Sequence, residues 1–237
     1  LEVSEGLGPV FNENSCGSCH NAPLGGPGSQ TVTRFGASGK KGGFEDLSQV
    51  GGSLLQALAI DDDCAEEIPV EATVTAFRVT NGTMGYGLVE AIPDADLLAI
   101  RDAQDPAYRG VAHMVESFED PGNLRVGRFG WKAQVATILT FSADAALNEM
   151  GLTNRFIMDE NDPNGVRPPD LIDCDTVPDP EDGPDAQGFD FIDRVTDFQR
   201  FLAGPPQTPK SGMSGEVIFN NLGCAVCHTP VSYTHLT

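Results

Sequence analysis

Positive charge, histidine, cysteine and long apolar runs are all scarce in this sequence, and each shortage narrows what the protein can be. Of 237 residues only 14 are Lys or Arg, against 35 Asp or Glu, giving a formal net charge of −21. A chain this acidic offers no basic footprint for a phosphate backbone, so nucleic acid is not expected as a partner. Its surface is either an ordinary solvated acidic one or one that steers a basic partner. No apolar stretch approaches the roughly 20 residues that cross a bilayer. A soluble protein without a membrane span is therefore expected, and a 40% hydrophobic content suffices for one large core or two small ones.

The cysteines and histidines that are present are concentrated. Cys16, Cys19 and His20 in "NSCGSCHN", and Cys224, Cys227 and His228 in "LGCAVCHT", make two copies of Cys-x-x-Cys-His whose histidines stand 208 positions apart. Two cysteines at this spacing can add to both vinyl groups of one haem, and the adjacent histidine is then placed to bind the iron. Cys-x-x-Cys alone would not separate this from a zinc ribbon or a thioredoxin-like redox pair. The competing reading is one zinc site shared by the two copies, but their six ligands exceed what four-coordinate zinc uses. Two covalently bound haem c groups, with His20 and His228 as metal ligands, are the expected cofactors.

The flanks repeat as well. "GPVFNENSCGSCHNAP" and "GEVIFNNLGCAVCHTP" each carry a phenylalanine, Phe11 or Phe219, five residues before the first cysteine. A short amphipathic helix leading into each attachment site would set that ring against the haem or in the core beside it.

Cys64 and Cys174 are left over, in the acidic, turn-rich contexts "DDDCAEE" and "LIDCDTVPDPEDG", where a buried structural thiol is not expected. Covalent haem attachment takes place outside the bacterial cytoplasm, which implies an oxidising, periplasmic location. A Cys64–Cys174 disulfide or two independent free thiols are the alternatives. The sequence begins at Leu1 without an initiator methionine or a signal-peptide pattern, so export is expected to depend on a segment not included in it. The closing "VSYTHLT" reads as adapter read-through, with His235 not native.

Residues 1 to 24 read as a helix ending at the first motif. Residues 23 to 43, "PLGGPGSQTVTRFGASGKKGG", are so rich in glycine that a loop around the haem edge is expected, with Lys40 and Lys41 either solvated or near a propionate. "VEATVTAFRV", residues 70 to 79, alternates as a strand or extended segment does. "IPDADLLAIRDAQ" reads as a helix opened by Pro93, with Asp94 and Asp96 in its first turn. Residues 127 to 151 read as one helix with Trp131 at its start, Glu149 near its end and Gly151 as its stop. Residues 189 to 204 read as a second amphipathic helix ended by Gly204 and Pro205. In the acidic loop between them, Asp159, Asn161, Asp162 and Asn164 resemble part of a calcium loop. Pro163 falls where a side-chain ligand belongs, which excludes an EF-hand and leaves a looser oxygen-ligand calcium site or a solvated loop.

"GLGPVFNENSCGSCH", "GLVEAIPDADLLAI", "GRFGWKAQ" and "NEMG", in this order with the second Cys-x-x-Cys-His, resemble the di-haem oxidoreductase family over about residues 6 to 230. That family is related to bacterial di-haem cytochrome c peroxidases and to the MauG group. The resemblance implies that Trp131 relays electrons between the two haems and that Glu149 is the distal acid–base group where peroxide is split. The glutamine that accompanies this glutamate in relatives has no counterpart here, since Leu139, Thr140 and Phe141 occupy that region. His113, outside the motifs and the tail, is the candidate distal ligand or acid–base group, with Met114 and Met84 as alternatives; each is equally well read as an ordinary surface or packing residue.

The expected fold is mainly α: two cytochrome c-like haem units with glycine- and proline-rich loops and little β structure. Residues 1–126 would form the first unit, 127–204 an inter-haem helical segment with the acidic loop, and 205–237 the start of the second unit. The expected function is electron transfer from a small redox donor protein, with reduction of hydrogen peroxide at the first haem. A non-catalytic electron carrier and a MauG-like oxidant of a partner protein are the rival readings.

Overall fold

In the computed structural model, residues 1–39, 42–165, 174–175, 177–204 and 214–228 are described; Lys40, Lys41 and the tail with His235 lie outside them. The chain divides into one unit made of Leu1–Thr83 with Phe141–Phe198 and another made of Met84–Thr140 with Gln199–Thr237.

The first unit is organised by strand β2, Thr31–Ser38, which pairs antiparallel along most of its length with β6, Val74–Val79. Short strands β3, Phe44–Glu45, and β4, Leu54–Leu55, complete this four-stranded sheet. Strands β1, Val10–Phe11, and β5, Leu58–Ala59, form a separate antiparallel pair. Val10, Val32, Phe35 and Leu54 join Ala143, Ala146, Leu147, Met150 and Ile192 in the core. These last five come from helix α4, Ile138–Met150, and helix α5, Phe191–Phe201. A Cys64–Cys174 disulfide forms in this unit, and both residues are buried despite their acidic context.

The second unit carries helices α2, Tyr86–Glu90, and α3, Asp94–Ala103, the hairpin of β7, Met114–Ser117, with β8, Asp120–Val126, and helix α6, Ser214–Asn221. Arg128 is its keystone. The side chain, 3% exposed, is paired with Asp94 and donates to the carbonyls of Val89, Glu90 and Ile92, which fastens the end of α2 to the start of α3. Asp94 also accepts from Arg125 at 2.9 Å and from the backbone N–H of Val126 at 2.9 Å. These partners hold its carboxyl down at about 2, with the Arg125 hydrogen bond the largest cause.

The mainly α expectation is corrected: among the described residues, eight strands in three sheets accompany six α-helices, so the fold mixes α and β. Strand β2 lies inside the glycine-rich segment expected to be loop. Its pairing with β6 overrides local composition, as sheet contacts commonly do. The β7–β8 hairpin is mostly exposed, so no apolar alternation marks it in the sequence.

Residues 1 to 24 do not form a helix either. Gly6 and Gly8 take φ +93° and +108°, values foreign to an α-helix, and Pro9 has no N–H to donate. The only α-helical turn there is α1, Cys16–Cys19. Helix α4 starts at Ile138, eleven positions later than expected, because Phe129 and Val135 form a bridge closed by a turn at Gly130–Gln134. Trp131 therefore sits in a turn. The strand at β6, helices α3 and α5, and the stop at Gly151 follow the sequence reading. Gly151 has φ +69°, and a Cβ there would lie 2.5 Å from the Gly8 carbonyl oxygen.

Candidate functional site

Both Cys-x-x-Cys-His motifs close on the same backbone hydrogen bond, the first as a turn of α-helix and the second as a 3-10 turn. In the first, the backbone N–H of His20 donates to the Cys16 carbonyl at 2.9 Å; in the second, His228 donates to Cys224 at 2.9 Å. The second turn is entered through helix α6 and Gly223 at φ +78°, which places Phe219 on a helix as expected. Phe11, its counterpart, lies instead in strand β1, paired with Leu58.

The chain after His20 is pinned closely to the first motif. The Thr80 hydroxyl donates to the Cys19 carbonyl at 2.8 Å and accepts from the Gly28 N–H at 2.9 Å. Only glycine fits at position 28, because a Cβ there would stand 1.8 Å from the Cys19 carbonyl oxygen. Thr83 closes the loop by donating to Gly25 through both its N–H and its hydroxyl.

Glu149 comes to this motif through helix-end chemistry. The last carbonyls of an α-helix lack partners within it. At the end of α4 the entering chain supplies them: Asn12 and Glu13 N–H groups donate to the Glu149 carbonyl at 2.9 and 3.1 Å, and Gly8 donates to Met150 at 3.1 Å. The segment that leads into Cys16 is thereby laid across the helix terminus. The Asn12 amide then donates to the Glu149 carboxylate at 2.9 Å. Burial pushes the Glu149 carboxyl up to about 6, opposed by the Asn12 hydrogen bond and the Arg34 guanidinium and reinforced by Asp144. Its charge acts in turn on Cys19.

The two thiols of the first motif are unpaired cysteines. Burial, followed by the carboxylates of Glu13 and Glu149, pushes the Cys19 thiol up to about 11. Attachment to haem would leave each sulfur as a neutral thioether, which suits a buried position beside carboxylates. Burial lowers the pKa of His20, opposed by the backbone of Gly26 and Asn81, which favours the neutral imidazole that a metal needs, and its Nδ1 is buried without a hydrogen-bond partner among the described residues. Apolar surface is also left open beside both motifs. Leu24, next to Gly17 of the first motif, is exposed, and Val217, Ile218, Leu222 and Val226 are exposed along α6 and the second turn. The donor set and its surroundings fit a covalently held haem at each motif.

The remaining expected residues are distributed as follows. Cys16, Cys19, His20, Phe11 and Glu149 belong to the first unit; Trp131, His113, Phe219, Cys224, Cys227 and His228 belong to the second. Trp131 is 39% exposed in its turn. His113 is exposed just before β7, where its carbonyl accepts from the Gly127 N–H at 2.8 Å. The Asp159 to Asn164 loop is engaged in packing: Asn164 exchanges hydrogen bonds with the backbone of Glu67, and Asn161 donates to Asn148. Asn12 is marked in the sequence only as the residue after Phe11, as Asn220 follows Phe219, and Arg34 not at all; a helix end and a strand distant along the chain bring them to the Glu149 carboxyl.

A family model described as "Di-haem oxidoreductase, putative peroxidase" matches residues 62–237. The matched stretch contains Trp131, His113, Glu149 and the second motif and begins after the first. No curated protein and no solved structure matches the chain.

Proposed function

This chain belongs to the di-haem oxidoreductase family, and from that premise we propose that it reduces hydrogen peroxide in the periplasm with electrons from a small redox donor protein. Cys16 and Cys19 hold one haem c and Cys224 and Cys227 the other, with His20 and His228 as iron ligands. Haem iron supplies the electron transfer and the reductive cleavage of the O–O bond. The observation that carries the proposal is the Glu149 carboxyl beside the first motif.

Reduction of hydrogen peroxide takes up two electrons and two protons and releases two waters. A group that removes the proton from one oxygen and returns it to the other lets the bond break without leaving hydroxide behind. Glu149, held at about 6, is populated in both protonation states near neutral pH, as such a relay requires. The Asn12 amide fixes the carboxyl's orientation through Oε2. Trp131, which shares a unit with the second motif, is assigned to electron passage from that haem toward the first, and His113 to a further ligand in the same unit. The acidic surface favours a basic electron donor, and the buried Cys64–Cys174 disulfide supports an oxidising compartment.

The test is peroxide turnover by the haem-loaded protein and by Glu149→Gln. Turnover in the first, lost in the second while both haems stay bound, is expected. Full turnover by the variant removes Glu149 from the mechanism.

A further inference from the structure

A second cluster of carboxylates, unrelated to the first motif, contains a side chain that the protein itself leaves unsatisfied. Glu160 is 7% exposed, and both of its carboxylate oxygens are buried without a hydrogen-bond partner among the described residues. Buried polar atoms are almost always paired, and a buried carboxylate most of all. What faces Glu160 is more negative charge. Asp175 and Asp179 each offer an oxygen, and the three ligand atoms lie within 4.8 Å of one another.

This convergence is built from fixed parts of the first unit. The disulfide to Cys64 holds Cys174, the chain neighbour of Asp175. Asp175 Oδ1 accepts from the Val177 N–H at 3.2 Å. Thr153, wholly buried, sets its hydroxyl 2.7 Å from Asp179 Oδ1 and 2.9 Å from Glu181 Oε2. Its backbone N–H donates to Glu181 Oε2 at 2.8 Å, which brings a fourth carboxylate to the edge of the group. Burial, then the charges of Glu181, Asp179 and Asp175, and last a hydrogen bond that a protonated carboxyl would make with Asp179, push the Glu160 carboxyl up to about 9. Burial likewise pushes Glu181 up to about 7.

We propose that Glu160, Asp175 and Asp179 form a calcium site, with Glu181 beside it. A cation at their centre gives the Glu160 oxygens the partner they lack and cancels the repulsion among the carboxylates. The donors are all oxygen, with no cysteine or histidine, which selects a hard cation over zinc or copper. The irregular arrangement, drawn from separate loop positions, suits calcium, which accepts flexible geometry, better than magnesium, which demands a near-ideal octahedron. The ion ties the loop after α4 to the segment anchored by the disulfide.

The experiment uses the full-length, haem-loaded protein, stripped with EDTA and titrated with calcium chloride by calorimetry, with thermal melts in EDTA and in calcium. One calcium per chain and a higher melting temperature in calcium are expected. Glu160→Gln and Asp179→Asn should each weaken binding by roughly ten-fold or more. In EDTA, Glu160→Gln should melt no lower than the wild type, because without the ion the Glu160 carboxyl already holds a proton and an uncharged amide replaces an uncharged acid. Should Glu160→Gln not fold, the variant at the exposed Asp179 decides. The proposal is overturned if the wild type takes up no stoichiometric calcium and melts alike in both conditions, the result for a carboxyl that simply holds a proton. Uptake left unchanged by both variants overturns it equally, since the ions then sit elsewhere on the acidic surface.

Discussion

Glu149 is placed where its charge costs stability, and replacing it by glutamine separates that cost from its chemistry. Burial raises its carboxyl from 4.5 to about 6. An acid whose folded pKa is raised contributes its full stability below the unfolded value and loses it as pH rises through the folded one. The loss runs from about pH 4.5 to just above 6, and at about 1.4 kcal/mol per unit it reaches about 2 kcal/mol. Glutamine is neutral at every pH and can still accept from the Asn12 amide. Glu149→Gln should therefore unfold with a free energy up to about 2 kcal/mol higher than the wild type at pH 8, and equal to it at pH 4. Urea denaturation of the haem-loaded pair at the two pH values measures this. Peroxide turnover should fall by about 10²–10⁴-fold in the same variant. A variant no more stable than the wild type at pH 8 would refute the claim that burial holds this carboxyl up.

Other perturbations test the frame around the site. Asp94 is held at about 2 mainly by the Arg125 hydrogen bond, so it adds about 2 kcal/mol above pH 4 that is lost as pH falls through about 2. Asp94→Asn should be destabilised by at least that amount at pH 7, with the gap closing in acid, as denaturation at several pH values would record. The Cys64–Cys174 bridge joins positions 110 residues apart; replacing both cysteines by serine should cost about 2–5 kcal/mol, measured by thermal and chemical unfolding with both haems retained. Trp131→Phe, in an exposed turn, should leave stability and haem content unchanged but slow reduction of the first-motif haem in stopped-flow experiments; unaltered kinetics would remove Trp131 from the electron path.

Where a single stretch of chain determines its own conformation, the sequence was a good guide. Pro93 followed by Asp94 and Asp96 announces helix α3, Gly151 announces the end of α4, and the Val/Thr alternation announces β6. Where distant segments decide, it was not. Strand β2 owes its conformation to β6, about forty residues on, and Gly36 within it disguises it as loop. The GRFGWKA segment forms a bridged turn because Phe129 and Val135 pair, a contact that helical spacing of the later apolar residues conceals. The two Cys-x-x-Cys-His motifs stand out in the sequence alone, since cysteine and histidine at fixed spacing carry their chemistry locally. Glu149 was nameable only through family resemblance, its neighbour Asn12 was marked only as the residue after Phe11, and Arg34 not at all. The Glu160 cluster was missed because its members are scattered through an acidic loop in which every carboxylate looks alike.

The most direct test is an optical spectrum of the haem-loaded, full-length protein, half-reduced, before and after one equivalent of hydrogen peroxide, with haem counted per chain on the same sample. Two covalently bound haems are predicted, with a spectral change on peroxide that Cys16→Ala/Cys19→Ala abolishes. No covalent haem, or two haems both indifferent to peroxide, would contradict the account.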